Sequence, residues 1–132
     1  MRVGRAHDVH ARLERLAHVD VAQVEPVAAV DLHLAGPGIT GVDEEEIEVG
    51  WVVAVDARGR GLATEAAAAV IAYAFDTLGV DEVVAYTSPG NAASLRVMEK
   101  LGMTRRGEGR SRDRKPAVIF VARRAPRPPA AC

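Results

Sequence analysis

One cysteine, Cys132, is all that the 132-residue chain contains, which excludes an intrachain disulfide and a thiolate cluster for zinc. Aromatic residues make up only 4%, so a core has to be assembled from Val, Leu, Ile and 24 alanines, and the alanines predict helices that pack closely. No apolar run is long enough to cross a bilayer; the stretch from Ala66 to Phe75 is about half of what a crossing needs. Arg2 and Arg5 are followed by alternating polar and apolar residues rather than a secretory h-region, so a cytoplasmic protein is expected. The four histidines, His7, His10, His18 and His33, form no H-E-x-x-H arrangement; they read as surface or packed side chains, and no metal site is expected. What is present, 48% hydrophobic and 27% charged residues, excludes disorder throughout and suits one compact domain.

Charge is segregated although the net charge is only −1: residues 1–50 carry −6, residues 51–101 carry −2 and residues 102–132 carry +7. The basic end could hold nucleic acid, a phosphorylated ligand or an acidic partner, or be a solvated loop and tail. Without interleaved aromatics it gives no sign of base stacking, and nucleic acid is not the partner expected.

Residues 8–18 have the spacing of a short amphipathic helix, and Val19–Val24 and Val30–Leu34 read as two half-buried strands meeting at a proline turn. Residues 35–41 form a glycine-rich loop, and Asp43–Glu46 a solvated turn. Ile47–Val55 reads as a strand buried on both faces over most of its length. After Arg58-Gly59-Arg60-Gly61, the residues Ala63, Ala66, Ala67, Val70, Ile71, Ala74, Phe75 and Leu78 make a sustained helical stripe that Gly79 stops. Val83–Thr87 is a second short strand, Asn91 an N-cap for a helix closed by Gly102, and Val118–Ala122 a last strand before a proline-rich tail. Strand, helix and strand from residue 46 onward are a βαβ unit with a right-handed crossover.

A strand feeding a glycine-rich turn and a long helix presents unpaired N–H groups and the positive end of a helix dipole, which together suit a phosphate. The turn lacks the G-K-S/T ending of a Walker A loop, and Thr64 or Glu65 stands where a dinucleotide fold has its third glycine. From spacing alone, a phosphate site and a merely tight turn both remain open.

The stretch Glu48 to Ala66, E-V-G-W-V-V-A-V-D-A-R-G-R-G-L-A-T-E-A, resembles the acetyl-CoA-binding motif of the GNAT superfamily, Q/R-x-x-G-x-G/A, which Arg58, Gly61 and Ala63 fill. The A-T-E-A ending and N-A-A-S-L-R-V-M-E-K-L-G-M, from Asn91 to Met103, are most similar to the branch that acetylates the N-termini of ribosomal proteins. The resemblance covers residues 46–122. It implies a mixed α/β (α+β) fold: a mostly antiparallel sheet with one splayed parallel strand pair and flanking helices, shortened at the N-terminus. A single domain over 1–122 is expected, with a divergent helix and hairpin in 1–45, an acetyl-CoA-binding core in 46–122 and a disordered tail at 123–132.

The implied activity is transfer of an acetyl group from acetyl-CoA to a primary amine, on a protein N-terminus or a small molecule. The alternative is a non-catalytic acyl-CoA-binding or interaction domain derived from a truncated acetyltransferase. In the family the pyrophosphate rests on the turn, here Arg58, Gly59, Arg60, Gly61, Leu62, Ala63 and Thr64. The pantetheine arm lies between the splayed strands, and a bulge presents an N–H to the thioester carbonyl, which the resemblance puts at Val53. Asn91 would touch the cofactor, although an N-cap role explains it equally. Glu48 is the candidate base, or else an exposed strand-end charge beside Glu44, Glu45 and Glu46. Ser94 is the candidate acid, or else a serine bonding its own helix. The tyrosine that many relatives use as general acid is absent, and so is the proline before the loop, replaced by Val55. Only about 46 residues precede the motif, which implies a short variant, a truncated product or a fold completed by a partner, with homodimerisation as the remedy for an exposed sheet edge.

Overall fold

The computed structural model describes residues 28–53 and 61–125. The expected helix at 8–18, the strand at 19–24, most of the phosphate turn and the proline-rich tail lie outside the described residues. Five strands, β1 (Ala28–Leu34), β2 (Ile47–Val53), β3 (Glu82–Thr87), β4 (Thr104–Arg110) and β5 (Pro116–Arg123), form one sheet in the order β1-β2-β3-β5-β4. Every neighbouring pair is antiparallel except β2–β3. Two helices are described, α1 (Leu62–Asp76) after β2 and α2 (Ala92–Lys100) after β3.

Burial follows strand position. β3 and β5 are central, and Val83–Ala85 and Ala117–Ala122 are accordingly buried on both faces. On one face α1 lays Ala63, Ala67, Ile71 and Ala74 against the sheet, and the small alanines let it lie close. With Met98 of α2 and Ile47, Val49, Val83, Val118 and Phe120 of the strands, this face builds the larger core cluster. The stripe expected for α1 is therefore the buried one. Gly79, at φ 70°, turns the chain out of the helix as expected, and Val80 N–H donates to the Ala74 carbonyl.

The opposite face is covered by the segment from 35 to 46, which places Ala35, Ile39 and Val42 over Val84, Ile119 and Val121. The glycine-rich loop is thus part of the core. Its fit depends on Gly109 of β4. Thr40 N–H donates to the Arg110 carbonyl at 2.9 Å, and a Cβ at 109 would collide with the Thr40 carbonyl. Gly109→Ala should therefore destabilise the fold by about 1–3 kcal/mol in urea denaturation. A change within about 0.5 kcal/mol would show that the loop is not docked there.

Three expectations about the strands need correction. β2 is buried on both sides only over Ile47–Val49; Gly50 and Trp51 are half-buried and Val52 is 71% exposed, because β3 no longer flanks that part. The pairing of β1 with β2 runs without interruption from Leu34↔Ile47 to Ala28↔Val53, so no bulge lies in the described part of β2. The basic segment after Gly102 is a strand, not a loop. β4 hangs on β5 by backbone bonds and carries exposed arginines, a composition that discourages further pairing at an edge.

The segregated charges meet in space. Arg106 makes a bidentate pair with Glu46 at 2.7 and 2.9 Å, Arg123 reaches Glu82 at 3.0 Å, and Arg105 reaches Glu108 at 3.0 Å. Arg124 lies 3.8 Å from Asp81, while Arg110 and Arg112 donate to backbone carbonyls. Most of the described arginines of the basic end are thus tied to acidic or carbonyl groups of the fold.

Candidate functional site

Running β2 and β3 parallel opens their carboxyl ends, and the helices that follow them, at the same end of the sheet, where ligands settle in α/β folds. The two strands share one register pair, Glu48↔Val84. Beyond it no pairing joins 49–53 to 85–87, so the strands separate toward that end, as a splayed pair should.

The two helix starts differ. At α2, Asn91 Oδ1 accepts the Ser94 N–H at 3.1 Å, so the first turn is capped. At α1 the N-cap is Gly61, in the left-handed region at φ 73°, with no side-chain cap. The first amides of α1 thus have no intrahelical acceptor and, among the described residues, no side-chain cap. A Cβ at 61 would meet no atom of the described residues within 4 Å. Gly61, Leu62, Ala63 and Thr64 are therefore together and suited to an anion; Arg58, Gly59 and Arg60 lie outside the described residues. The opposite chemistry marks an open depression of about 550 Å³ on the 35–46 segment, where Asp43, Glu44 and Glu45 contribute three carboxylates that would repel a pyrophosphate.

Glu48 is not an exposed strand-end charge. It is 7% exposed, the one buried charged residue among those described, and its Oε2 accepts from His33 Nε2 at 2.8 Å across the β1–β2 pair. His33 Nδ1 lies 2.8 Å from Asp31 Oδ2 but off the line of its N–H, so this contact is electrostatic rather than an aligned hydrogen bond. Asp31 and Glu48 push the His33 pKa up to about 9, and His33 holds the Asp31 carboxyl below its ordinary value. The ring is thus an imidazolium at neutral pH. Sequence reading treated His33 as an ordinary surface or packed side chain; its partner sits across a strand register that no local pattern reveals.

Because the His33 pKa is raised from 6.5 to about 9, its contribution to stability is complete below about 6.5 and disappears as pH rises through 9. The melting-temperature gap between wild type and His33→Gln should be widest at pH 6 and close above pH 9. A gap independent of pH would show that the ring is not held as a cation.

The remaining candidates are not gathered at Glu48. Ser94 is half-buried on the first turn of α2. The oxygen of the Asn91 side chain is engaged by its own helix, which leaves its amide N–H₂ for a ligand. Val53 stands five residues beyond Glu48 on β2, about 16 Å along the strand. No group of His, Cys, Asp and Glu among the described residues is placed to hold a metal ion. No helix among them is long and apolar enough to cross a membrane.

The family model "Acetyltransferase (GNAT) domain" matches residues 30–104. The "Uncharacterized N-acetyltransferase YnaD" of Bacillus subtilis is 39% identical over 64 residues, 48% of this chain and 38% of that protein. The "Putative ribosomal N-acetyltransferase YdaF" of the same organism is 28% identical over 99 residues, 73% of this chain and 54% of that protein. The matched stretches are thus about half or less of either relative. Among solved structures, AAC(6')-Ib in complex with ribostamycin and coenzyme A is 25% identical at a TM-score of 0.65, covering 77% of this chain and 60% of that one.

Proposed function

Since the chain belongs to the acetyltransferase (GNAT) domain family, we propose that it transfers an acetyl group from acetyl-CoA to a primary amine, as a cytoplasmic enzyme. The observation that carries this reading is the uncapped start of α1 at Gly61, facing the end of the sheet where β2 and β3 have parted. The amides from Gly61 to Thr64 take the pyrophosphate, with Arg58, Gly59 and Arg60 in the preceding turn. The pantetheine arm enters the gap between the strands, and Asn91 donates to it from the start of α2.

Attack on the thioester requires a neutral amine, so Glu48 takes one ammonium proton; Ser94 gives its hydroxyl proton to the departing thiolate and regains one from the acylated nitrogen, while Val53 N–H faces the developing oxyanion. The distance between Val53 and Glu48 requires a short chain of waters between the amine and the carboxylate. The acceptor is a protein N-terminus or a small-molecule amine. The name of YdaF, a putative ribosomal N-acetyltransferase, supports the first kind, and the complex of AAC(6')-Ib with ribostamycin and coenzyme A supports the second.

The test is release of free thiol from acetyl-CoA with a panel of amines that includes ribosomal-protein N-terminal peptides and aminoglycosides. Turnover with at least one amine supports the proposal. Binding of coenzyme A with no turnover on any amine would leave a non-catalytic acyl-CoA-binding domain.

A further inference from the structure

Glu48 is buried, and a lone carboxylate in that position is costly unless it is paired. Its described partner is His33, on the neighbouring strand and directly opposite in register. One strand position away on the same face, Asp31 stands opposite Gly50 and sets the other side of the imidazole. Gly50 makes this possible, since a Cβ there would come within 2.7 Å of Asp31 Oδ1. Gly50, Asp31, His33 and Glu48 therefore form a chain of contacts on the face opposite the helices. Exposure falls along it, from 69% at the Asp31 side chain to 41% at His33 and 9% at Glu48.

We propose that His33 is a positioning residue for the reaction: its Nε2–H fixes Oε2 of Glu48, which leaves Oε1 as the oxygen that receives the proton of the acceptor amine. This rests on Glu48 as the base. Among the described residues Oε1 accepts no hydrogen bond, so the carboxylate is held at one oxygen and available at the other. His33 cannot itself be the base at neutral pH, because as an imidazolium it has no free lone pair. The proton balance is simple: the ammonium loses one proton, Oε1 gains it, and the His33 Nε2–H bond stays intact.

Among the described residues Asp31 on β1 acts on His33 and Tyr86 on β3 lies in the field of Glu48, while Arg112 and Asp113 of the β4–β5 turn act on Tyr86. Arg112 Nη1 donates to the Tyr86 hydroxyl at 3.4 Å, and Tyr86, whose pKa is raised first by burial and then by the charge of Glu48, stays a neutral phenol. These groups act on the pair in wild type and variants alike, so a change on altering His33 is assigned to His33.

The test compares His33→Ala, His33→Gln and Glu48→Gln, each shown by circular dichroism and by coenzyme A calorimetry to be folded and to bind the cofactor. In His33→Ala, kcat should fall about tenfold, short of the roughly hundredfold that a 1 Å misplacement can cost. KM for acetyl-CoA should be unchanged. His33→Gln, which keeps an N–H for Oε2 but no charge, should recover most of the rate. If Glu48→Gln is slow but both His33 variants keep the wild-type kcat, His33 only supports the fold and the proposal is wrong. If Glu48→Gln is itself unimpaired, the choice of base fails and the positioning role falls with it.

Discussion

Glu48→Gln is expected to lower kcat by about 10²-fold or more, the range for loss of a positioned general base. Glutamine has the same shape and its carbonyl can still accept the His33 Nε2–H, so the β1–β2 pair and the buried position survive. What disappears is the carboxylate that takes the proton. The acidic limb of the pH–rate profile should vanish with it, while affinity for coenzyme A, which rests on α1 at the end of the sheet, should not change. Steady-state rates from pH 5 to 9 decide this; an unaltered rate and profile would assign the proton to water or to another residue.

Gly61→Val acts on the other half of the reaction. The residue sits at φ 73°, which a β-branched residue adopts only with strain, and the variant should lose about 1–2 kcal/mol of stability for that reason. A Cβ there meets no atom of the described residues within 4 Å. A large loss of cofactor affinity would therefore report a ligand displaced from that space, not a core disrupted. Calorimetry should show the Kd for coenzyme A rising at least about tenfold, a cost of about 1.4 kcal/mol. Gly61→Ala, with less bulk and less strain, should fall between. Unchanged affinity in Gly61→Val would place the pyrophosphate elsewhere.

The parts of the fold that could be read in advance are those in which local chemistry decides the outcome. The alanine stripe of α1, the N-cap at Asn91 and the apolar runs of β3 and β5 each carry their own pattern, and each was found where the pattern put it. β4 was hidden because Thr-Arg-Arg-Gly-Glu-Gly-Arg has no apolar alternation; its backbone bonds to β5, not its side chains, make it a strand. Ile39 and Val42 looked like loop residues because glycines surround them, yet Gly109 lets that loop descend onto the sheet. The surroundings of Glu48 were illegible for a similar reason. Fifteen residues separate it from His33, and only the register set by the intervening loop brings them to 2.8 Å. Glu48 itself could be singled out through the motif, but whether it was buried and paired could not.

A crystal structure with coenzyme A bound tests the central claim most directly. It should show the pyrophosphate on the amides between Gly61 and Thr64, the pantetheine arm between β2 and β3, and the sulfur on the side from which Glu48 can be reached through water. A cofactor seated instead against the β4–β5 turn or over the 35–46 segment, with the start of α1 left bare, would contradict it.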